Sequence, residues 1–431
     1  MIVRFCVKNF RSIADIDLDF SYGEKRAPNR YQDMVRQPFL EDKGGKTRVV
    51  PCMALFGANA AGKSNIIKAF QVLRRAVISK DASIAKLYDG NLILDCGDLT
   101  TFKLTFEDKG VLFEYGLAYG RRGVVEEWLN VDGNELYGVR DGQCRVDNLV
   151  SDGYSKERIA DIVKVECKNA DGTEMIRPLL NVLGHGYQGL NEKTARAYHY
   201  FDSLINVWGE LRDQTIFPLA ADVLSHAAGI SLDEATKRIV SVVRKLDVDI
   251  LDIKIAEPPS IDKSPPIGAY DFIAEREGEG HGIVIQSLHK NAKGEDVFFR
   301  FMKQESEGTK RLATIVGFML AALEKGSFIC VDEFDWALHP LVVQEMLSLF
   351  MRKETNPKNA QLVFTTHMTD LLENGILRLS EACFVQKNIH VGTKTKRLVE
   401  MKHEGDDIRN VTNFRKQYLD GWYNAIPHPA L

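Results

Sequence analysis

The first twenty residues alternate. Val3, Phe5 and Val7, then Ile16, Leu18 and Phe20, are separated by polar positions, the period expected of a hairpin with one buried face. Charge, glycine and proline then crowd the stretch from Ser21 to Lys46, which predicts a surface insertion. Val49 to Phe56 is almost wholly apolar, with Pro51 near its start, the pattern of a buried strand that tolerates a missing N–H at its entrance. Directly afterwards Ile66, Ile67, Phe70, Leu73 and Val77 recur at helical spacing. Between Thr101 and Asn130, the segments 102–106, 113–117 and 124–129 return to strand patterning and predict successive antiparallel strands.

From Ser151 to Leu246 the period becomes helical: Tyr198, Phe201, Leu204, Ile205 and Trp208 share one face, as do Ile239, Val242 and Val243. The heptads are not sustained, so a compact inserted lobe is expected over 151–250 rather than a coiled-coil arm. The proline pairs at 258–259 and 265–266 mark a loop, after which 282–285 and 297–301 read as strands. Further on, Ser327 to Val331 and Leu362 to Thr366 read as buried strands. The expected organisation is an N-terminal half over 1–150, the lobe over 151–250 and a C-terminal half over 251–431.

Composition narrows the class. The 431-residue chain is 45% hydrophobic with a net charge of −4, enough apolar material for large cores and no globally basic coat for nucleic acid. Its cysteines, at 6, 52, 96, 144, 167, 330 and 383, are odd in number and contain no C-x-x-C pair, the usage of reduced thiols in a cytoplasmic protein. The amino end goes straight into strand patterning, so no leader is expected. The longest apolar run, Leu312 to Leu323, is too short to span a bilayer and is flanked by Arg311 and Glu324.

The candidate chemistry centres on Gly57-Ala58-Asn59-Ala60-Ala61-Gly62-Lys63-Ser64, which has G-x-x-x-x-G-K-[ST] spacing between the predicted strand and helix. A glycine-rich turn lets successive N–H groups point at phosphate oxygens; Lys63 reaches the β- and γ-phosphates and the Ser64 hydroxyl ligates Mg²⁺. Asn65 follows as part of the same ATP cradle. Far downstream, the strand ending at Val331 runs into Asp332 and Glu333. Such a pair can hold Mg²⁺ through water (Asp332) and polarise the attacking water (Glu333), although paired acids after a strand also simply cap turns. Ser306 is placed to N-cap the helix over 312–323, with Gly308 allowing backbone to approach an anion; an ordinary capped helix has the same pattern. His367 ends a strand, where a histidine is either held by a backbone partner or positioned to sense a γ-phosphate.

Taken in order, Gly57 to Ser64, Ser306-Glu307-Gly308-Thr309, Asp332-Glu333, Asp335 and His367 resemble an ABC-type ATPase head of the SMC and RecF kind. The runs Glu305 to Arg311, Val331 to Pro340, Ala360 to His367 and Tyr418 to Pro427 resemble the bacterial AAA-family ATPases of abortive-infection, retron-like and other phage-defence operons, over nearly the whole chain. The resemblance implies an α/β P-loop NTPase whose mixed sheet carries an antiparallel subdomain and an inserted helical lobe. It implies ATP and Mg²⁺ as cofactors, Glu333 and His367 as catalytic residues, and a homodimer or higher homo-oligomer. In that assembly Ser306 and Gly308 of one copy face, in trans, the nucleotide bound by Lys63 of another. The signature departs from the Leu-Ser-Gly-Gly form of transporters, and no glutamine-loop residue is identified between Ser64 and Asn130.

The function implied is a nucleotide-dependent sensor or scaffold in anti-phage defence, controlling a separate effector such as a nuclease or toxin. Only 64 residues follow His367, short for an appended nuclease domain. The alternative is a RecF- or SMC-like ATPase acting directly on DNA, for which the basic residues Lys387, Lys394, Lys396, Arg397 and Lys402 speak. No membrane partner is expected.

Overall fold

The computed structural model describes residues 1–22, 39–42, 45–80, 84–89, 99–140, 143–146, 148–149, 156–169, 172, 174–189, 191–207, 216–246, 249–256, 284–373, 376–388, 390–403, 406–407, 414–423 and 425–426. Most of the insertion read at Ser21 to Lys46 lies outside these residues, as do Ser151, Trp208, the proline-rich loop at 258–266, Gly282, Ile283, Asn424 and Pro427. The chain forms two compact units: one comprises the described residues up to Leu204 and from Val363 onward, the other Ile205–Leu362.

The first unit opens with β1 (Ile2–Phe10) and β2 (Ile13–Asp19), the expected antiparallel hairpin. Phe5, Val7, Ile16, Leu18 and Phe20 are buried, but Val3 is only half so. A register irregularity between Ile2 and Arg4 turns Ile2 into the core instead. A short ribbon of β3 (Phe39–Asp42) and β4 (Gly45–Arg48) leads to β5 (Cys52–Phe56), buried at every position with Pro51 just ahead of it. Helix α1 (Lys63–Ile78) follows, and its predicted stripe of Ile66, Ile67, Phe70, Leu73 and Val77 is wholly inside. An antiparallel meander then runs through β6 (Thr100–Asp108), β7 (Val111–Tyr119), β8 (Val124–Val131), β9 (Asn134–Arg140) and β10 (Gln143–Arg145). After it come α2 (Lys156–Ile162), a π turn at Val163–Cys167, α3 (Leu179–Gly186) and α4 (Glu192–Ser203).

In the second unit β11 (Ile205–Val207) precedes α5 (Ile216–Ala228) and α6 (Leu232–Lys245). A three-stranded antiparallel sheet of β12 (Asp252–Ala256), β13 (Val284–Lys290) and β14 (Asp296–Arg300) follows. Next come α7 (Phe301–Gln304), α8 (Glu307–Lys325), β15 (Phe328–Val331) and α9 (Pro340–Met351). The chain re-enters the first unit within β16 (Gln361–Thr366) and closes with β17 (Ala382–Asn388), β18 (Gly392–Arg397) and α10 (Phe414–Leu419). Strand order in that unit is β10-β9-β8-β7-β6-β1-β2-β18-β17-β5-β16. Its meander is antiparallel, whereas β17 runs parallel to β5 and β18 parallel to β2, which gives the mixed α/β class expected.

The helical stretch is divided between the units. In the first, α3 and α4 pack on α1; in the second, α5 and α6 pack on α8. Ile205 does not prolong the helical face of Tyr198 and Phe201. Helix α4 ends at Ser203, and Ile205 pairs in parallel with Ile329 of β15, where β-branched Ile205 and Val207 suit a strand better than a helix. Among the described residues no helix is long and apolar enough to cross a membrane, and the six described cysteines are free thiols.

Buried polar contacts fix the axis of α1. At its C-terminal end, Asn181 of α3, 1% exposed, donates to the carbonyls of Val77 (2.8 Å) and Ser79 (2.9 Å), and His185 Nε2 lies 2.8 Å from the Ile78 carbonyl. The start of α3 has no side-chain cap of its own; Glu127 of β8, fully buried, accepts from the N–H groups of Leu179 and Leu180. Tyr137 and Tyr115 donate to the same carboxylate at 2.8 and 3.1 Å. Burial pushes the Glu127 pKa up, and these four donors oppose the shift. A carboxylate at the positive end of a helix is the favourable sign for the dipole. Thus β8 anchors α3, and α3 anchors the far end of the helix that begins at Lys63.

Candidate functional site

The loop between β5 and α1 is shaped by its neighbours. A Cβ on Gly57 would lie 2.4 Å from the Val385 carbonyl of β17, and one on Gly62 would lie 2.2 Å from Thr393 Oγ1 of β18. Gly62, with φ of 104°, is also the N-cap of α1, a backbone conformation natural only to glycine. Helix α1 has no side-chain cap and no acid in its first turn, so the positive end of its dipole faces the loop with no acidic side chain of that turn against it, the field that favours an anion. Lys63 is 7% exposed, and its Nζ donates to the carbonyls of Gly57 (2.7 Å) and Ala58 (3.0 Å), which holds the ammonium across the loop. Asn59, Ala60 and Ser64 are exposed, Ala58 and Asn65 half-buried, and Ala61 is buried.

A polar chain supports this cradle from below, and most of its members were not legible as site residues. Asn65 Nδ2 donates to Ser12 Oγ at 2.7 Å; Ser12 Oγ lies 2.8 Å from Thr393 Oγ1; and Thr393 Oγ1 donates to the Ala61 carbonyl at 3.0 Å. Arg11 reaches Asn65 Oδ1 at 3.4 Å and pairs with Asp89. Arg11 and Asn9 have φ of 51° and 48°, so the β1–β2 turn is tightly wound against the start of α1. The one local signal was Asn9, a residue type tolerant of positive φ. Thr393 carried none, because its partner Ala61 is 332 residues away. Burial and then the Arg11 charge pull the Lys68 pKa down, and Asp89 opposes the shift.

Ala60 sits in the loop at φ of 61°, a left-handed conformation that costs an alanine roughly 1–2 kcal/mol. Ala60→Gly is therefore expected to leave stability unchanged or raise it by up to about 1 kcal/mol, since glycine's greater freedom in the unfolded chain offsets part of the relief. Thermal melts of both proteins check this; a clear loss of stability would contradict the strain.

The second unit builds the other predicted elements into one framework. Ser306 N-caps α8 as expected, its Oγ accepting from the Thr309 N–H at 3.1 Å, and the residue is exposed. A Cβ on Gly308 would lie 2.5 Å from the Ala337 carbonyl, so the turn after β15 requires glycine there whatever else binds. Arg311, one turn further along α8 and 4% exposed, donates through Nη2 to the carbonyls of Asp332 (2.9 Å) and Glu333. Its guanidinium also lies 5.3 Å from the Trp336 ring, within cation–π range. Burial lowers the Arg311 pKa, and Glu333, Asp332 and Asp335 oppose the shift in that order. Glu333 and Ala337 have φ of 49° and 59°, strained for residues with a Cβ, and such strain gathers at functional turns. The stretches 306–311 and 332–337, read separately from the sequence, are thus locked together, with Asp332 half-buried and Glu333 exposed.

His367, in the first unit, follows directly on β16 and is exposed. The basic residues considered for DNA contain one structural member. Arg397 is 7% exposed and pairs with Asp19 (2.8 Å) and Glu400 (2.7 Å); Lys387, Lys394 and Lys396 are exposed.

Among solved structures the chain is similar to the SMC head bound to the C-winged helix domain of ScpA, at 13% identity and TM-score 0.39, covering 92% of this chain and 96% of that one. It is also similar to the SMC head domain from Thermotoga maritima (14%, 0.39, 92% and 98%) and to the recombination mediator protein RecF-ATPrS in the RecFOR pathway (12%, 0.36, 92% and 98%). No curated protein matches. The family model described as "AAA domain, putative AbiEii toxin, Type IV TA system" matches residues 52–373, from β5 beyond His367, and the chain belongs to that family.

Proposed function

We propose that the chain binds and hydrolyses Mg-ATP and uses nucleotide-dependent pairing of two copies to control a separate toxic effector in anti-phage defence. The observation that carries the ATP reading is the start of α1: an uncapped helix N-terminus at Gly62, closed by packing into a cradle too tight for a Cβ, with the Lys63 ammonium across its mouth. This donor set fits a polyphosphate. Residues 57–65 hold the triphosphate. Ser64 and Asp332 hold Mg²⁺, an ion that keeps much of its coordination for water and phosphate. Glu333 orients the attacking water, His367 senses the γ-phosphate, and Ser306 and Gly308 meet the nucleotide of a second copy.

The family's description as a putative AbiEii toxin of a type IV toxin–antitoxin system supports the defence role. The chain is expected to act from the cytoplasm, as the regulator rather than the nuclease. Purified alone with Mg²⁺ and ATP, it should leave plasmid DNA and tRNA intact. The decisive experiment challenges cells carrying this chain and its adjacent reading frames with phage. Lys63→Ala is expected to abolish protection, and equal plaque counts for both would overturn the defence role.

Ser306→Asp tests the pairing. Aspartate is as good an N-cap as serine, so stability should change by less than about 0.5 kcal/mol, within the range of ordinary surface substitutions. Its charge would nevertheless oppose a triphosphate. Turnover and ATP-driven pairing are expected to be lost while a lone subunit still binds ATP; unchanged turnover would remove the contact in trans.

A further inference from the structure

We infer that Glu305 is a positioning residue, clamped by Ser287 and His289 of β13, that fixes where the exposed Ser306 is presented to a second copy's nucleotide. The inference rests on the proposed role of Ser306 in trans.

Glu305 joins two helices. Helix α7 has four residues, too few to hold itself, and only Glu305 and Ser306 separate it from α8. The Glu305 N–H donates to the Phe301 carbonyl at 3.3 Å, and from the other side Lys310 Nζ reaches back to the Met302 carbonyl at 3.1 Å. The side chain of Glu305 is 9% exposed. A single oxygen, Oε1, accepts from both Ser287 Oγ and His289 Nε2, the latter at 2.6 Å. A carboxylate oxygen can only accept, so Nε2 is the ring nitrogen that carries a proton in this contact. Ser287 is fully buried, and the His289 ring lies 4.7 Å from that of Phe299 on β14. Both donors occupy alternate positions of one strand, so they project from the same face.

A carboxylate withdrawn from water is costly unless it is hydrogen-bonded, and an apolar side chain would fill the same space without that demand. What the carboxylate adds is direction. Two donors on a sheet hold one oxygen, one residue ahead of the hydroxyl that must meet a phosphate, where an error of about 1 Å costs on the order of 100-fold in rate.

The test uses the full chain and three readouts: affinity of dilute subunits for a fluorescent ATP analogue, ATP-driven pairing by sedimentation, and kcat against KM. Glu305→Ala is expected to leave affinity unchanged and to lower kcat and pairing by roughly 10–100-fold. Glu305→Gln, whose amide oxygen still accepts from both donors, should stay within about threefold of the parent. Ser287→Ala with His289→Ala should reproduce Glu305→Ala, and adding Glu305→Ala should cause no further loss, because the three act as one unit. Should Glu305→Ala fail to fold, Ser287→Ala, which removes one donor, carries the same readouts. Unaltered kcat and pairing, or losses that only follow the folded fraction, would overturn the clamp. Ser306→Asp separates the two ideas: if it blocks pairing while Glu305→Ala does not, only the clamp fails; if neither does, the trans reading fails first.

Discussion

Lys63→Ala is expected to weaken ATP binding by roughly 10²–10⁴-fold. The ammonium is the fixed cation of the loop, held over it by the carbonyls of Gly57 and Ala58. Hydrogen bonds to charged groups contribute roughly 1.5–3 kcal/mol each, and the loss of two toward the β- and γ-phosphates corresponds to that range of affinity. The same change takes the ammonium from both carbonyls, although that of Ala58 keeps the Ala61 N–H at 3.2 Å, so a modest fall in melting temperature is expected beside the binding loss. Titration with a fluorescent ATP analogue in Mg²⁺, at a temperature where both proteins are folded, separates the effects. Unchanged affinity would remove the nucleotide-site reading altogether.

Glu333→Gln is expected to keep nucleotide affinity within about threefold and to slow hydrolysis by roughly 10²–10⁴-fold, the contribution typical of a positioned general base. The amide occupies the same volume and leaves the Arg311 bonds to the carbonyls of Asp332 and Glu333 in place, so the loss is chemical rather than structural. ATP-bound pairs should accumulate, visible in sedimentation. A second variant sharpens the point. Glu333 has φ of 49°, so Glu333→Gly removes left-handed strain and is expected to leave stability equal or slightly higher while hydrolysis is still lost. If Glu333→Gln released phosphate at the parental rate, the water-activating role would be wrong.

Much of the architecture around the loop was legible because it is local. The alternation of β1 and β2, the buried run of β5 and the stripe of α1 each record which face meets the core, and the structure buries those residues. The N-cap at Ser306 was legible for the same reason: its partner is three residues away. Where the pattern misled, a longer-range contact decided. Val3 yields its place to Ile2 because of a register irregularity against β6, and Ile205 leaves the helix period because β15 offers it a parallel partner. The insertion of helices over 151–250 read as one stretch, since sequence period reports that a face is buried but not which helix buries it.

The sequence by itself determined the spacing within residues 57–65, the order of Ser306, Gly308, Asp332, Glu333 and His367 along the chain, and the elements that carry them, because these depend on residue type at fixed short spacing. Only the tertiary structure decided what holds the loop and the acid turn in shape. Thr393 and Ser12 beneath the loop at 57–65, Asn181 and Glu127 behind α1, Arg311 across the acid turn and Ser287 on Glu305 are all polar side chains taken out of water. Such a group needs a partner with the right geometry, and that partner is supplied by the fold from distant parts of the chain.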